Sequence, residues 1–271
     1  MVEHLQAQPQ QPVAVISDVH GNLEALRSVL ADIDAQGAAT ILNLGDMVGY
    51  GPEPEACVQL LRERGVPTVL GNHEFGLVEA QARGFFNPQA KKALDRTRQL
   101  LSDDSVMYFR TLPRTMEAFG ALFVHGCPPG QVSKYLYELD EEGLREAFAL
   151  YPHPLCFAGH THELERISFF PAAGPEAGPE AGRRSGGGRL EHKGLRKGPA
   201  SLDGHARHIV NIGSVGQPRD GNNKAKYVLW EPGKPGADTK IEVRFVPYDI
   251  ARTAARIVEV GLPTVYADRL W

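Results

Sequence analysis

Five short apolar runs in this chain each stop at residues that bind metals. Val13–Ile16 runs into Ser17-Asp18-Val19-His20, Thr40–Leu44 into Gly45-Asp46, and Val66–Leu70 into Gly71-Asn72-His73-Glu74. Met116–Val124 stops at His125-Gly126, and Leu155–Ala158 at Gly159-His160-Thr161-His162. Apolar runs of this length, bounded by turn residues, read as buried strands. At the carboxyl ends of strands in an open α/β sheet, side chains from separate loops converge on one place. One such end is explained by a cap or a turn. Five in succession are not, because histidine is a poor helix cap.

The segments between the runs fit this reading. Leu23, Leu26, Leu30 and Ile33 recur at helical spacing, with Asn22 as N-cap and Gly37 as stop. Pro52 and Pro54 open a second helix that runs to about Gly65. Strand–helix–strand–helix order predicts parallel strands joined by crossover helices. Further on, Pro88–Leu101 and Leu139–Leu150 read as helices, and 116–124 as a hairpin turning near Gly120. Strands are expected at Leu164–Phe170, Ile209–Ile212, Tyr227–Trp230 and Ile241–Val246, and a helix at Ile250–Val260 capped by Asp249.

Residues 1–12 are polar and Gln/Pro-rich, which predicts a disordered tail without an apolar signal core and a cytoplasmic protein. Residues 171–200 carry a GPEA duplication, a glycine run and scattered basic residues. That is linker composition, so a flexible, dispensable insertion is expected within a domain spanning 13–250. Residues 251–271 are expected to pack on the same domain as a helix and tail. The 271 residues carry 42% hydrophobic side chains and a net charge of −4, ordinary for a globular chain and without the basic field of a nucleic-acid binder. No apolar run is long enough to span a bilayer. The three cysteines form no CxxC pair, against a cysteine zinc site.

Histidine nitrogen mixed with carboxylate and amide oxygen suits divalent ions of the set Mn, Fe, Co, Ni and Zn. Asp18, His20, Asp46, Asn72, His125, His160 and His162 are more ligands than one tetrahedral site uses. Two ions sharing a carboxylate would engage them all, the arrangement that activates water and stabilises phosphoryl oxygens.

The ordered set DVH at 18–20, GD at 45–46, GNHE at 71–74, VHG at 124–126 and GHTH at 159–162 resembles the calcineurin-like metallophosphoesterase superfamily. NIGSVGQPR at 211–219 is similar to a segment of its small bacterial phosphodiesterase branch, with NIGS where NPGS is commoner. The resemblance implies a four-layer α/β/β/α sandwich of two mixed β-sheets flanked by helices. It implies one divalent ion held by Asp18, His20 and His162, another by Asn72, His125 and His160, and Asp46 between them. It implies that Asn72 also faces substrate, that His73 is the catalytic acid facing the scissile phosphate, and that Arg219 clamps a phosphate. The implied partner is a small phosphate ester, with no membrane; self-association of identical chains stays open. Gly213 and Gly216 read equally as a strand-end turn or as substrate contacts. Tyr50-Gly51-Pro52 reads as a turn that could also line the pocket. His4, His153, His192, His205 and His208 lie outside the motifs and read as surface or linker residues.

Other chemistries lack their residues. There is no HCx5R, because Ser133 stands where the arginine would be; GxSxG and GxxxxGK[ST] are also missing. The rivals on the same resemblance are a dinucleoside-polyphosphate hydrolase, a protein phosphatase and a nuclease. A rival of another class is a metal-binding interaction scaffold without catalysis.

Overall fold

The computed structural model of the chain describes residues 11–172, 188–234 and 236–271. The first half contains β1 (Val13–Ile16), α1 (Leu23–Ala35), β2 (Thr40–Asn43), α2 (Pro54–Glu63) and α3 (Asn72–Val78). It continues through α4 (Pro88–Gln99), α5 (Asp103–Phe109), β3 (Thr115–Ala118), β4 (Ala121–Val124) and α6 (Glu141–Ala149). The second half holds β5 (Leu155–Ala158), β6 (Leu164–Pro171), β7 (Gly188–Gly194), β8 (Gly198–Leu202), β9 (Arg207–Ile212), β10 (Ala225–Glu231) and β11 (Thr239–Val246). Helices α7 (Ile250–Glu259) and α8 (Val265–Asp268) follow.

Two mixed sheets form, ordered β2-β1-β10-β11-β8 and β3-β4-β5-β9-β6-β7. β1 and β2 are parallel, as are β4, β5 and β9; their neighbours run antiparallel. Alternation along each strand assigns its two faces. Val13 and Val15 of β1 meet Phe123, Phe157 and Val210 between the sheets, while Ala14 and Ile16 face α1 and α2. In the other sheet Leu122, Val124, Cys156 and Ala158 face outward onto Leu144 and Phe148 of α6. Helices therefore cover both outer faces, giving the four-layer α/β/β/α sandwich. Strands buried on both faces are near-continuously apolar, which is why they stand out in the sequence.

Several expectations are corrected. Val66–Leu70 is not a full strand: only Thr68 bridges Asn43, in parallel. Pro67 has no N–H to give and contributes only its carbonyl, to Asn43 N at 2.9 Å. The insertion is shorter than 171–200, because 188–194 and 198–202 are strands. β7 pairs with β6 from Pro171↔Gly188 to Glu165↔Gly194, and β8 pairs with β11. Both are outermost strands with one face toward water, so they need little apolar content; Leu190 of β7 and Ala200 and Leu202 of β8 supply it. The remainder of that stretch, 173–187, and the tail residues 1–10 lie outside the described residues. His208 is not at the surface. It is buried between Ser168 Oγ and the Asp203 carbonyl, each at 2.9 Å. The sequence reading omitted α5 and α8, each too short to show a helical period.

Asp32 ties α1 to its sheet. Its carboxylate takes Arg244 Nε at 3.1 Å and Nη2 at 3.0 Å, and the Tyr227 hydroxyl at 2.6 Å. Burial works against the anion, but the bonds from Arg244 and Tyr227 outweigh it and lower the Asp32 pKa. A depressed folded pKa adds stability above the unfolded value of about 3.9 and loses it as pH falls through the folded value. Asp32→Asn should therefore lower Tm by roughly 2–4 °C at pH 7, for a loss of about 1 kcal/mol. The gap to wild type should close below about pH 4. Thermal denaturation at pH 7 and pH 3 checks this; a gap that does not depend on pH would refute the ion-pair account.

Candidate metal centre

The parallel strands of both sheets end on one side, and the ligand residues lie in the turns beyond them. Among the described residues seven non-glycine positions have positive φ, and six belong to these turns: Asp18, His20, Asp46, Tyr50, His160 and His162. L-residues adopt this backbone rarely and at a cost, and such residues cluster where the surroundings force them. Here the forcing is a network of bonds across the two sheets. Asp18 N donates to Gly45 O at 3.1 Å and His20 N to Asp46 O at 2.9 Å. Gly159 N donates to His125 O at 2.9 Å, and His160 N to Asp18 Oδ2 at 3.0 Å. Glu74 is fully buried and accepts from Asp46 N, Gly71 N and Val48 N at 2.9, 3.1 and 3.1 Å.

The side chains converge in three overlapping groups, Asp18–His20–His162, His20–Asp46–His73 and Asp46–His125–His160. All are nearly or fully buried. His162 Nε2 stands 2.9 Å from His20 Nε2 and 3.2 Å from Asp18 Oδ1. Asp46 Oδ2 is 3.7 Å from His20 Nε2 and 3.3 Å from His125 Nε2. Asn72 Oδ1 lies 2.9 Å from His125 Nε2.

Backbone carbonyls set which nitrogen faces inward. Nδ1 of His20, His125 and His162 bonds Val48 O, Leu44 O and Gln217 O at 3.0, 2.8 and 2.5 Å. With Nδ1–H so engaged, Nε2 of each turns its lone pair to the centre. His160 Nε2 is 3.4 Å from Ser133 O, which leaves Nδ1 as its inward nitrogen.

The residues fit a divalent ion. Asp18 Oδ1 is buried and accepts no hydrogen bond, although imidazole nitrogens surround it. Burial disfavours the Asp18 and Asp46 anions, yet the neighbouring histidines outweigh it and hold both pKa values below the ordinary range. Burial pushes His73 and His160 down, to about 4 and about 3, and His20 well below its usual value. His125 is the exception: burial lowers it, but Asp46 beside it prevails and raises it to about 9. Neutral imidazoles at His20, His73 and His160 beside two ionised carboxylates suit a divalent first-row ion, and His125 would give up its proton to bind one.

His73 and Asn72 are not neighbours on a strand. They open α3 behind the N-cap Gly71, and His73 N donates to Asp46 Oδ1 at 2.9 Å. His73 Nε2 lies 4.0 Å from Asp46 Oδ2, while Nδ1 is buried without a partner. The ring is boxed by Tyr50 at 4.4 Å, His20 at 4.8 Å and Phe86 at 5.1 Å between centroids. Gly49, with φ +89°, closes the box: a Cβ there would collide with His73 Nδ1. Were His73 to act on a bound substrate, Gly49→Ala would leave the Asp and His cluster in place and cost about tenfold or more in kcat, since small misplacements of a reacting group are costly. Metal analysis beside steady-state kinetics checks this; an unchanged kcat would show that His73 needs no such placement.

The 211–219 stretch is chiefly a brace. Ser214 Oγ and Gly216 N both bind Asp18 O at 2.9 Å, and Val215 N binds Ser17 O at 3.0 Å. A Cβ on Gly216 would strike Val19 O, so that glycine serves close packing. Arg219 is exposed; its N–H reaches His162 O at 3.3 Å, which brings it to the rim. Sequence reasoning missed Gly49, the binding role of Glu74, and Tyr135, whose ring stacks on His160 at 3.8 Å. Glu74 was visible as the last letter of GNHE; Gly49 and Tyr135 stand in no motif.

Fold and centre together define a two-sheet α/β protein with a buried His/Asp cluster able to hold divalent metal. The family model for calcineurin-like phosphoesterases matches residues 11–164. An uncharacterized protein of Methanocaldococcus jannaschii is 33% identical over 264 residues, 96% of this chain and 97% of the relative. The crystal structure of a metallophosphoesterase from Sphaerobacter thermophilus superposes with a TM-score of 0.75 at 34% identity, covering 97% of this chain and 98% of that one. A hypothetical protein from Pyrococcus horikoshii shares the fold, with a TM-score of 0.72 at 17% identity over 97% and 98% of the two chains. The chain belongs to the calcineurin-like phosphoesterase family.

Proposed function

We propose that this protein hydrolyses a small phosphate ester with two divalent ions, drawn from Mn, Fe, Co, Ni and Zn. Asp18, His20 and His162 would hold one ion, and Asn72, His125 and His160 the other. The observation that carries this is the position of one atom: Asp46 Oδ2 faces His20 Nε2 of the first set and His125 Nε2 of the second. When bound, the ions supply Lewis acidity and lower the pKa of water.

The chain's own groups do the rest. Backbone carbonyls keep the histidine lone pairs aimed inward, so little reorganisation is needed on binding. The Asn72 amide, just beside the centre, offsets charge on the phosphoryl oxygens. His73 Nε2 faces the same space and would give a proton to the leaving oxygen. Burial alone leaves His73 neutral near pH 7; an arriving phosphate anion raises its pKa and favours that proton. Arg219 would clamp a non-reacting oxygen.

Manganese-reconstituted protein should carry about two ions per chain and cleave at least one of a phosphomonoester, a phosphodiester, a cyclic nucleotide, a dinucleoside polyphosphate and a phosphopeptide. One ion at saturation would defeat the paired centre. Two ions with no hydrolysis across the panel would move the protein to a metal-holding scaffold. No helix among the described residues is long and apolar enough to cross a membrane.

A further inference from the structure

Three of the four inward histidines are aimed by a backbone carbonyl: His20, His125 and His162 each hold Nδ1 against one, at 3.0, 2.8 and 2.5 Å. His160 has only a long contact. Its Nε2 stands 3.4 Å from Ser133 O, further than an N–H ordinarily reaches to a carbonyl, and its backbone φ is +70°. It is nevertheless buried and grouped with Asp46 and His125. Something besides a hydrogen bond holds the ring.

Tyr135 covers it. The two rings lie face to face, 3.8 Å between centroids and 13° between planes. That is van der Waals contact across a ring face. An imidazole so covered cannot turn about its Cβ–Cγ bond, because its edge would sweep into the tyrosine. Tyr135 is backed in turn by Tyr137, stacked at 4.7 Å and 15°. The loop that carries Tyr135 is anchored on both sides. Cys127 N donates to Gln131 O and Lys134 O, both at 3.1 Å, and Gln131 N donates to Cys127 O at 2.8 Å. A Cβ on Gly126, the residue after His125, would strike the same two carbonyls, so loop and strand end pack closely. Beyond Tyr135, Leu136 is buried in one cluster with Leu144 and Phe148 of α6. Tyr135 also lines a cleft of about 590 Å³ beside the centre, with Tyr50, Arg219, Tyr266 and Arg269. Without the Tyr135 ring, His160 would have that space to turn into.

Resting on the two-ion reading above, we propose that Tyr135 is a positioning residue: its ring face, rather than a hydrogen bond, aims His160 Nδ1 at the ion of the second set. The role belongs to the ring and not to the hydroxyl. An imidazole that shares the charge of a divalent ion also gains from the negative face of a tyrosine ring, so the stack strengthens on metal binding.

Calorimetric titration of the metal-free whole chain with manganese alone tests this without any substrate. Tyr135→Phe should bind both ions as the wild type does. Tyr135→Leu should weaken one ion by about 10–100-fold, the usual cost of losing a group that orients a ligand, and leave the other unchanged. In a His160→Ala background Tyr135→Leu should cost nothing further, because it acts through that ring. Three results would each overturn the assignment: both ions bound with wild-type affinity in Tyr135→Leu, a loss in Tyr135→Phe as large as in Tyr135→Leu, or a full further loss in the His160→Ala background. Ring-nitrogen NMR spectra of the metal-free protein separate this inference from the two-ion reading. His160 should be one tautomer, protonated at Nε2, in the wild type and Tyr135→Phe, and should average between tautomers in Tyr135→Leu. If the wild type takes up fewer than two ions while these spectra hold, the paired centre is wrong and the positioning is right. If His160 averages in the wild type, a result that stands even where Tyr135→Leu does not fold, or is undisturbed in Tyr135→Leu, the positioning role falls whatever the metal content.

Discussion

Manganese-reconstituted Asp46→Ala should lose metal and hydrolysis together, with kcat/KM down by about 10³ or more. Asp46 is buried, its Oδ2 faces His20 and His125, and its Oδ1 accepts from His73 N. Truncation removes the oxygen that faces both of the proposed ligand sets and leaves the imidazoles to face one another. The substitution also withdraws the charge that holds His125 up at about 9. Its raised pKa in the wild type means that metal binding there must displace a proton, so uptake should weaken as pH falls. The check is metal content by atomic emission beside kcat/KM, across pH 6 to 9. Full metal retention in Asp46→Ala would show that the carboxylate is not shared.

His73→Ala should leave metal content nearly intact and lower turnover by roughly 10²–10⁴ on a poor leaving group, the cost of losing a general acid. The loss should shrink on a nitrophenyl ester, whose leaving oxygen hardly needs a proton. The geometry makes this a sharp test. His73 also falls in a group with His20 and Asp46 that could itself hold an ion. If the variant sheds a metal, His73 is a ligand and the division of the seven ligands is wrong. If turnover on the poor leaving group is untouched, the acid role fails.

The centre was legible in the sequence because its residues follow the strands that carry them. Asp18 and His20 follow β1, Asp46 follows β2, His125 follows β4, and His160 and His162 follow β5. The apolar runs are conspicuous because both faces of those strands are buried. Edge strands were opaque for the opposite reason: β7 and β8 need one modest face each, and glycine-rich, charged text concealed them. The cleft was also opaque. Tyr135, Tyr266 and Arg269 reach it from segments far apart in the chain, and only the packing of α7 and α8 brings the C-terminus to the rim. Asn72 and His73 were correctly placed near the centre on an incorrect backbone. The helix start at Gly71 gives them different directions, the property first sought in a strand.

The left-handed ligand turns imply an antagonism between durability and activity. Asp18, His20, Asp46, His160 and His162 sit in a conformation that costs an L-residue on the order of 1 kcal/mol or more apiece. Glycine or asparagine would relieve that cost at each position. Selection for heat resistance alone would therefore erode the centre one ligand at a time, and the hardiest descendants of this chain would be inert.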